Sequence, residues 1–235
     1  MTDLQEIKQT LQSLADKKTA EHSQRFFKTA KGEYGEGDIF LGIRVPVIRK
    51  IALQYKHLPL SNILSLLKSK YHEQRLLAVI MLVNKYKTAN TKETETIFTI
   101  YIDNTKYINN WDLVDVSAPN IIGAHLYKRN RKLLYDFANS TDLWKKRIAI
   151  LATLYFIRNN DFKDCLKLCE ILLTDPHDLI HKATGWMLRE TGKKHLPTEQ
   201  AFLDKYASIM PRTMLRYALE KLPPAKRKHY MALKR

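Results

Sequence analysis

Trp144-Lys145-Lys146-Arg147-Ile148-Ala149 decides the fold, because its pattern returns elsewhere in the chain. The related stretches are Glu73-Gln74-Arg75-Leu76-Leu77-Ala78, Ile180-His181-Lys182-Ala183-Thr184-Gly185 and Met214-Leu215-Arg216-Tyr217-Ala218. Their basic residues fall at 75, 147, 182 and 216, with gaps of 72, 35 and 34. The first gap is two periods, and the slot it skips holds Trp111. A period of about 35 residues with two helices per unit marks a HEAT-type α-solenoid, in which units stack because none buries its apolar face alone. The expected fold class is therefore all-α: an α-solenoid of HEAT-like helical repeats with a concave basic face, organised as a single domain over residues 1–235. The second helix of each pair lines that face and presents its recurrent Lys or Arg in one register.

The rest of the chain reads as helix too. Only 7 glycines and 8 prolines interrupt 235 residues, so breakers are few. Leu4, Ile7, Leu11 and Leu14 open the chain with helical spacing. Pro46 suits a first helical turn, with Ile48, Ile51, Ala52 and Tyr55 continuing its stripe. Further helices are expected at about 60–69, 73–87, 91–104, 111–126, 130–138, 142–158, 161–173, 176–191, 197–208, 211–221 and 223–233. Asp175-Pro176 and Met210-Pro211 read as helix starts. No strand is expected. The Gly-rich segment Gly32–Asp38 carries Glu33, Glu36 and Asp38, which would repel phosphate, and reads as a solvated connector.

The net charge is +16, from 40 Lys and Arg against 24 Asp and Glu. A chain this far from neutrality repels itself, and a polyanionic partner, most commonly nucleic acid, accounts for the excess. The competing account is a merely basic cytosolic protein. Cys165 and Cys169 lie four apart without metal-binding spacing and read as reduced core thiols. The start Met1-Thr2-Asp3-Leu4 has neither basic nor apolar region of a signal peptide. No run approaches the roughly 18 apolar residues of a membrane span. An intracellular soluble protein, cytoplasmic and nucleoid-associated when bound to DNA, is expected, with no membrane contact, no metal and no cofactor. His177 and His181 share the spacing of a zinc helix, but Asp178 stands where that motif needs Glu.

Trp111 and Asp115 are four apart and share a helix side, whereas Asp112 points elsewhere and suits a cap. On a solenoid they would converge with Arg147 and Trp186 on neighbouring rungs. The carboxylate is the informative member, since it weakens plain phosphate binding. Two readings stand: a structural salt bridge to Arg147, or stabilisation of a cation formed during a reaction.

Four stretches carry a resemblance: Phe40-Leu41-Gly42-Ile43-Arg44-Val45-Pro46, Trp111-Asp112-Leu113-Val114-Asp115, Leu143-Trp144-Lys145-Lys146-Arg147-Ile148-Ala149-Ile150-Leu151 and Gly185-Trp186-Met187-Leu188-Arg189-Glu190. Together they resemble the AlkD-like DNA alkylation repair family of HEAT-like DNA glycosylases, over roughly residues 20–222. The resemblance implies that Asp115 is catalytic and that Trp111 and Trp186 act with it at the lesion-bearing deoxyribose. Arg147 would hold a neighbouring phosphate. Phe26, beside Arg25, stands where a family member has tyrosine, so any hydroxyl contact there is lost. Lys145, Lys146, His181, Lys182, Arg189, Arg216 and Arg44 are the further candidates for the DNA footprint.

The implied activity is a monofunctional DNA-alkylation N-glycosylase, a hydrolase excising 3-methyladenine- and 7-methylguanine-type purines from duplex DNA without flipping the base. The expected partner is double-stranded DNA carrying alkylated bases, bound by a monomer. Two alternatives differ in class: a non-catalytic HEAT-like protein binding branched or damaged DNA, and a protein-binding scaffold whose groove serves an acidic partner.

Overall fold

The computed structural model describes residues 2–233, and they divide after Ser117 into two compact units. The first holds α1 (Asp3–Ser13), α2 (Lys17–Phe26), α3 (Val45–Gln54), α4 (Leu60–Leu67), α5 (His72–Thr88), α6 (Thr91–Asp103), a 3-10 turn (Thr105–Tyr107) and α7 (Trp111–Ser117). The second begins with a π turn (Pro119–Gly123) and α8 (Ala124–Leu126). It continues with α9 (Lys132–Ala138), α10 (Leu143–Arg158), α11 (Lys163–Ile171), α12 (Asp178–Lys194), α13 (Leu196–Tyr206), α14 (Arg212–Ala218), a 3-10 turn (Leu219–Lys221) and α15 (Pro224–Ala232). Among the described residues there is no strand, only an isolated bridge between Ile39 and Tyr71. No described helix is long and apolar enough to cross a membrane.

Local chemistry sets the helix starts. Thr2 with Gln5, and Asn90 with Glu93, form reciprocal capping boxes on α1 and α6. Asp142 accepts from the amides of Trp144 and Lys145 to open α10. Pro46 occupies the first turn of α3. Helix α2 carries no apolar stripe, because none of its residues is buried, and the spacing therefore predicts nothing there. Three expectations need correction. Pro176 precedes α12 rather than starting it: His177 is the cap, accepting the Leu179 amide. Pro211 likewise precedes α14, as its cap, and the helix begins at Arg212. The expected helix 111–126 is not continuous. Pro119 has no N–H to donate, and the pattern widens to a bond from Gly123 N to Ala118 O at 2.9 Å.

In the first unit α5 is the axis, buried from His72 through Val83 and packed on α3, α4, α6 and α7. In the second unit α10, α12 and α14 stack in series, with α9, α11 and α13 against them. Two close approaches repeat there. A side chain at Gly123 would run into Ala152 O and Tyr155 Cβ, and one at Gly185 into Met214 O and Tyr217 Cβ. In both cases the neighbours lie 29 and 32 positions further on, as a repeated helix pair requires. Cys165 and Cys169 are buried free thiols on α11. The recurrent basic residues keep their register but not a common exposure: Arg75 and Arg147 are buried, Lys182 is half-buried and Arg216 exposed.

Candidate active site

The start of α7 is fastened by a buried polar cluster. Asn110 caps it, its Oδ1 accepting the Trp111 amide at 2.8 Å. His72, the first residue of α5, donates from Nε2 to Asp112 Oδ2 at 2.8 Å and from Nδ1 to Asp38 Oδ2 at 3.1 Å. Arg75 Nη2 donates to the other Asp38 oxygen at 2.5 Å, and Asn110 Nδ2 to Oδ2 at 3.3 Å. Burial opposes a proton on His72, but Asp112 and Asp38 outweigh it and lift its pKa to about 9. Burial likewise opposes ionisation of Asp38, yet His72, Arg75 and Asn110 hold its carboxyl below the ordinary range. Two carboxylates, an imidazolium and a guanidinium thus form a charge-balanced set. Asp38 is therefore not part of a solvated connector: it is buried, whereas Glu33 and Glu36 are exposed and accept from the amides of Ala30 and Gly32.

Rings continue the cluster outward. Phe40 stacks on His72 at 4.3 Å between centroids, Phe27 on Phe40 at 5.0 Å, and Trp111 on Phe27 at 4.9 Å. Phe26 meets Trp111 edge-on at 5.8 Å and remains 58% exposed. Sequence reasoning missed His72, Asp38 and Phe27. The signals available were an acid ending the Gly-rich loop and a Phe-Phe pair ending α2.

The stretch Phe40–Pro46 is explained by what it holds. Glu73, buried on α5, accepts from the amides of Leu41, Gly42 and Ile43 at 2.8, 2.8 and 3.2 Å. Gly42 has φ +83°, and a side chain there would strike the backbone of Asp16 and Ala20. Arg44 is the exposed residue preceding α3.

Asp115 is half-buried, one turn beyond Trp111 on α7. Burial, together with the Asp115 charge, pushes the Tyr101 hydroxyl well up despite its bond with Ser117 Oγ at 2.9 Å, so Tyr101 stays neutral.

The remaining sequence candidates lie in the second unit. Arg147 is 5% exposed, with Nη1 donating to Leu179 O at 2.6 Å. Lys146 pairs with Asp175 at 2.6 Å, and His181 bonds the Asp175 carbonyl, so these two converge. Lys145 lies over the Phe137 ring at 5.7 Å. Lys182 pairs with Asp178 at 2.7 Å, and Arg189 pairs with Glu220. Arg216 is exposed. The Trp186 indole N–H donates to Glu190 Oε1 at 3.0 Å. Among the described residues no three of His, Cys, Asp and Glu gather as a metal site, and His177 Nδ1 already accepts the Leu179 amide.

Residues 7–222 match the family described as DNA alkylation repair enzyme. The chain belongs to the DNA alkylation repair enzyme family. Membership sets its field as DNA alkylation repair and its substrate class as DNA. The fold is also that of a solved structure from Enterococcus faecalis, titled a predicted DNA alkylation repair enzyme. The two share 16% identity and a TM-score of 0.70 over 89% of this chain and 97% of the other. No curated protein matches the chain. Three of the four family-like stretches thereby gain a structural reading: Phe40–Pro46 docks on Glu73, Trp111–Asp115 forms the pinned helix, and Gly185 admits α14 against α12.

Proposed function

We propose that this protein is a monofunctional DNA glycosylase of base excision repair, hydrolysing the N-glycosidic bond of cationic alkylated purines in duplex DNA without flipping the base. The observation that carries the reading is Asp115: a half-buried carboxylate one turn from Trp111, on a helix whose first turn is tied by His72 and Asn110. A plain DNA binder has no use for a negative charge there. A purine alkylated on a ring nitrogen, such as 3-methyladenine or 7-methylguanine, is already positive and leaves as a neutral molecule, so no general acid is required. The sugar needs help, because it becomes oxocarbenium-like as the bond breaks. A carboxylate about 4 Å from that charge contributes roughly 4 kcal/mol at an effective dielectric of 20, on the order of 10³ in rate. Asp115 also orients the attacking water.

Trp111 and Trp186 offer ring faces to the developing cation. For the footprint, Phe26, Arg44 and Arg216 are exposed and meet DNA as they stand. Lys146, Lys182 and Arg189 would exchange a carboxylate for a phosphate. Lys145, Arg147 and His181 complete the proposed set, Arg147 being 5% exposed as it stands. The reading takes residues 1–235 as one domain acting as a cytoplasmic monomer. The test is release of 7-methylguanine from methylated duplex by wild type and Asp115→Asn. Loss of release with DNA affinity retained is expected; unchanged release removes Asp115 from the mechanism. A wild type that binds methylated duplex without releasing any base favours the non-catalytic binder.

A further inference from the structure

We propose that two residues outside the candidate set, Arg158 and Lys194, extend the DNA footprint by gripping one backbone phosphate at the cleft between the C-terminal ends of α10 and α12, beside the Trp186 ring that the proposed function already places at the deoxyribose. The proposal rests on the glycosylase reading for the choice of DNA as the ligand.

The cleft has a volume of about 280 Å³, floored by Leu154 and Ile157, walled by Trp186 and Glu190 and rimmed by Arg158, Lys193 and Lys194. That volume sits just below the usual range of small-molecule pockets, roughly 300–1,000 Å³. A strand crossing the rim suits it better than a whole metabolite. The wall is fixed: the indole N–H is engaged by Glu190, so the ring presents its face and no donor. Glu190 in turn holds Lys193 at 2.7 Å, which takes one cation of the rim out of play.

Arg158 and Lys194 differ from the other basic residues nearby. They are the last residues of α10 and α12, both exposed, and among the described residues neither has a carboxylate in ion-pair distance. Cations at helix C-termini are common for dipole reasons alone. Two of them across a fixed indole and an apolar floor are not explained that way. Lys146, Lys182 and Arg189 already face Asp175, Asp178 and Glu220, so phosphate must displace a carboxylate there. At Arg158 and Lys194 it displaces only water. A fork-shaped guanidinium and a point-charge ammonium can then grip one phosphodiester from two sides, next to the deoxyribose on the indole.

The experiment measures binding to a short unmethylated duplex from about 50 to 200 mM salt. It compares wild type, Arg158→Ala/Lys194→Ala, and a control, Lys132→Ala/Lys167→Ala, whose ammonium groups are paired with Asp136 and Glu170. Both doubles remove two charges, so a mere change of overall field affects them equally. The salt slope of the cleft variant should fall in magnitude by about 1 to 2, at roughly 0.9 per phosphate contact, with the control close to wild type. Equal slopes in the two doubles overturn the proposal. So does weakened binding to heparin with duplex binding intact, which assigns the cleft to another polyanion. Base release run in parallel separates the two claims. Release by wild type with no slope change leaves the glycosylase standing and removes the cleft. A slope change without release does the reverse.

Discussion

His72 Nε2 donates to Asp112 Oδ2 at 2.8 Å, and this bond joins the first turn of α5 to the first turn of α7. A cation at the N-terminus of α5 is disfavoured by the helix dipole, so the two carboxylates around it must outweigh that as well as burial. Replacing His72 by Ala removes the cationic partner of Asp112 and leaves Asp38 with the Arg75 guanidinium alone. Removing one partner of a buried ion pair costs about 3–5 kcal/mol. Urea unfolding of His72→Ala should show that loss; a change under about 1 kcal/mol would mean the network contributes little.

The same group gives the protein an alkaline limit. Its pKa of about 9 in the fold exceeds the ordinary 6.5. The stability it contributes is therefore full below about pH 6.5 and lost as pH rises through 9, some 3 kcal/mol in all. Melting temperature followed from pH 6 to 10 should fall more steeply in wild type than in His72→Gln, which cannot titrate. Parallel curves would show that His72 is not charged in the fold.

Glu199 titrates in the same direction for a different reason: its fold favours the neutral form, where that of His72 favours the charged one. It is buried beside Gly192, Oε1 without a partner among the described residues, and burial raises its pKa to about 8 against the pull of Arg189. The neutral acid is favoured in the fold, so its contribution is full below about pH 4.5 and lost as pH rises through 8. Glu199→Gln keeps the neutral shape without binding a proton. It should stabilise the protein at pH 8, by up to about 4 kcal/mol for a shift from 4.5 to about 8, and leave it unchanged at pH 4. Equal effects at both pH values would trace to packing instead.

Phe26 and Phe27 are adjacent yet should behave differently. Phe27 lies flat between Phe40 and Trp111, whereas Phe26 touches Trp111 only by an edge. Phe27→Ala should cost about 3 kcal/mol of stability. Phe26→Ala should cost about 1 kcal/mol or less while weakening binding to duplex DNA. Thermal melts and a titration with duplex check both halves, and equal destabilisation would contradict the contrast.

Gly42 tests the docking of the Phe40–Pro46 stretch. Its φ of +83° and the backbone of Asp16 and Ala20 against it leave no room for a methyl group. Gly42→Ala should lose about 2 kcal/mol or more, read as a lower unfolding midpoint.

The parts of this architecture legible in sequence are those that repeat locally. The spacing of Arg147, Lys182 and Arg216 located α10, α12 and α14, and the four-residue interval of Trp111 and Asp115 put them on one helix. Periodicity carries no information about partners far along the chain. Asp38 looked like one more acid in a polar loop, because nothing near it in sequence reveals the His72 and Arg75 it meets. Arg147 matched a surface register, yet its neighbours bury it. Helix α2 turns no buried face inward, so there was no stripe to read.

Asp38 also constrains the order in which the first unit can be made. It leaves the ribosome 34 residues before His72, 37 before Arg75 and 72 before Asn110. A nascent chain therefore carries this carboxylate through most of the unit's synthesis before its last partner exists, and each closure spans a longer loop than the one before. The helix bearing Trp111 and Asp115 gains its anchor only when that last residue emerges. The turn to which we assign the chemistry is thus the final piece of its unit to set, and pulse-labelled hydrogen exchange at Leu113 and Val114 should acquire protection after α5 does.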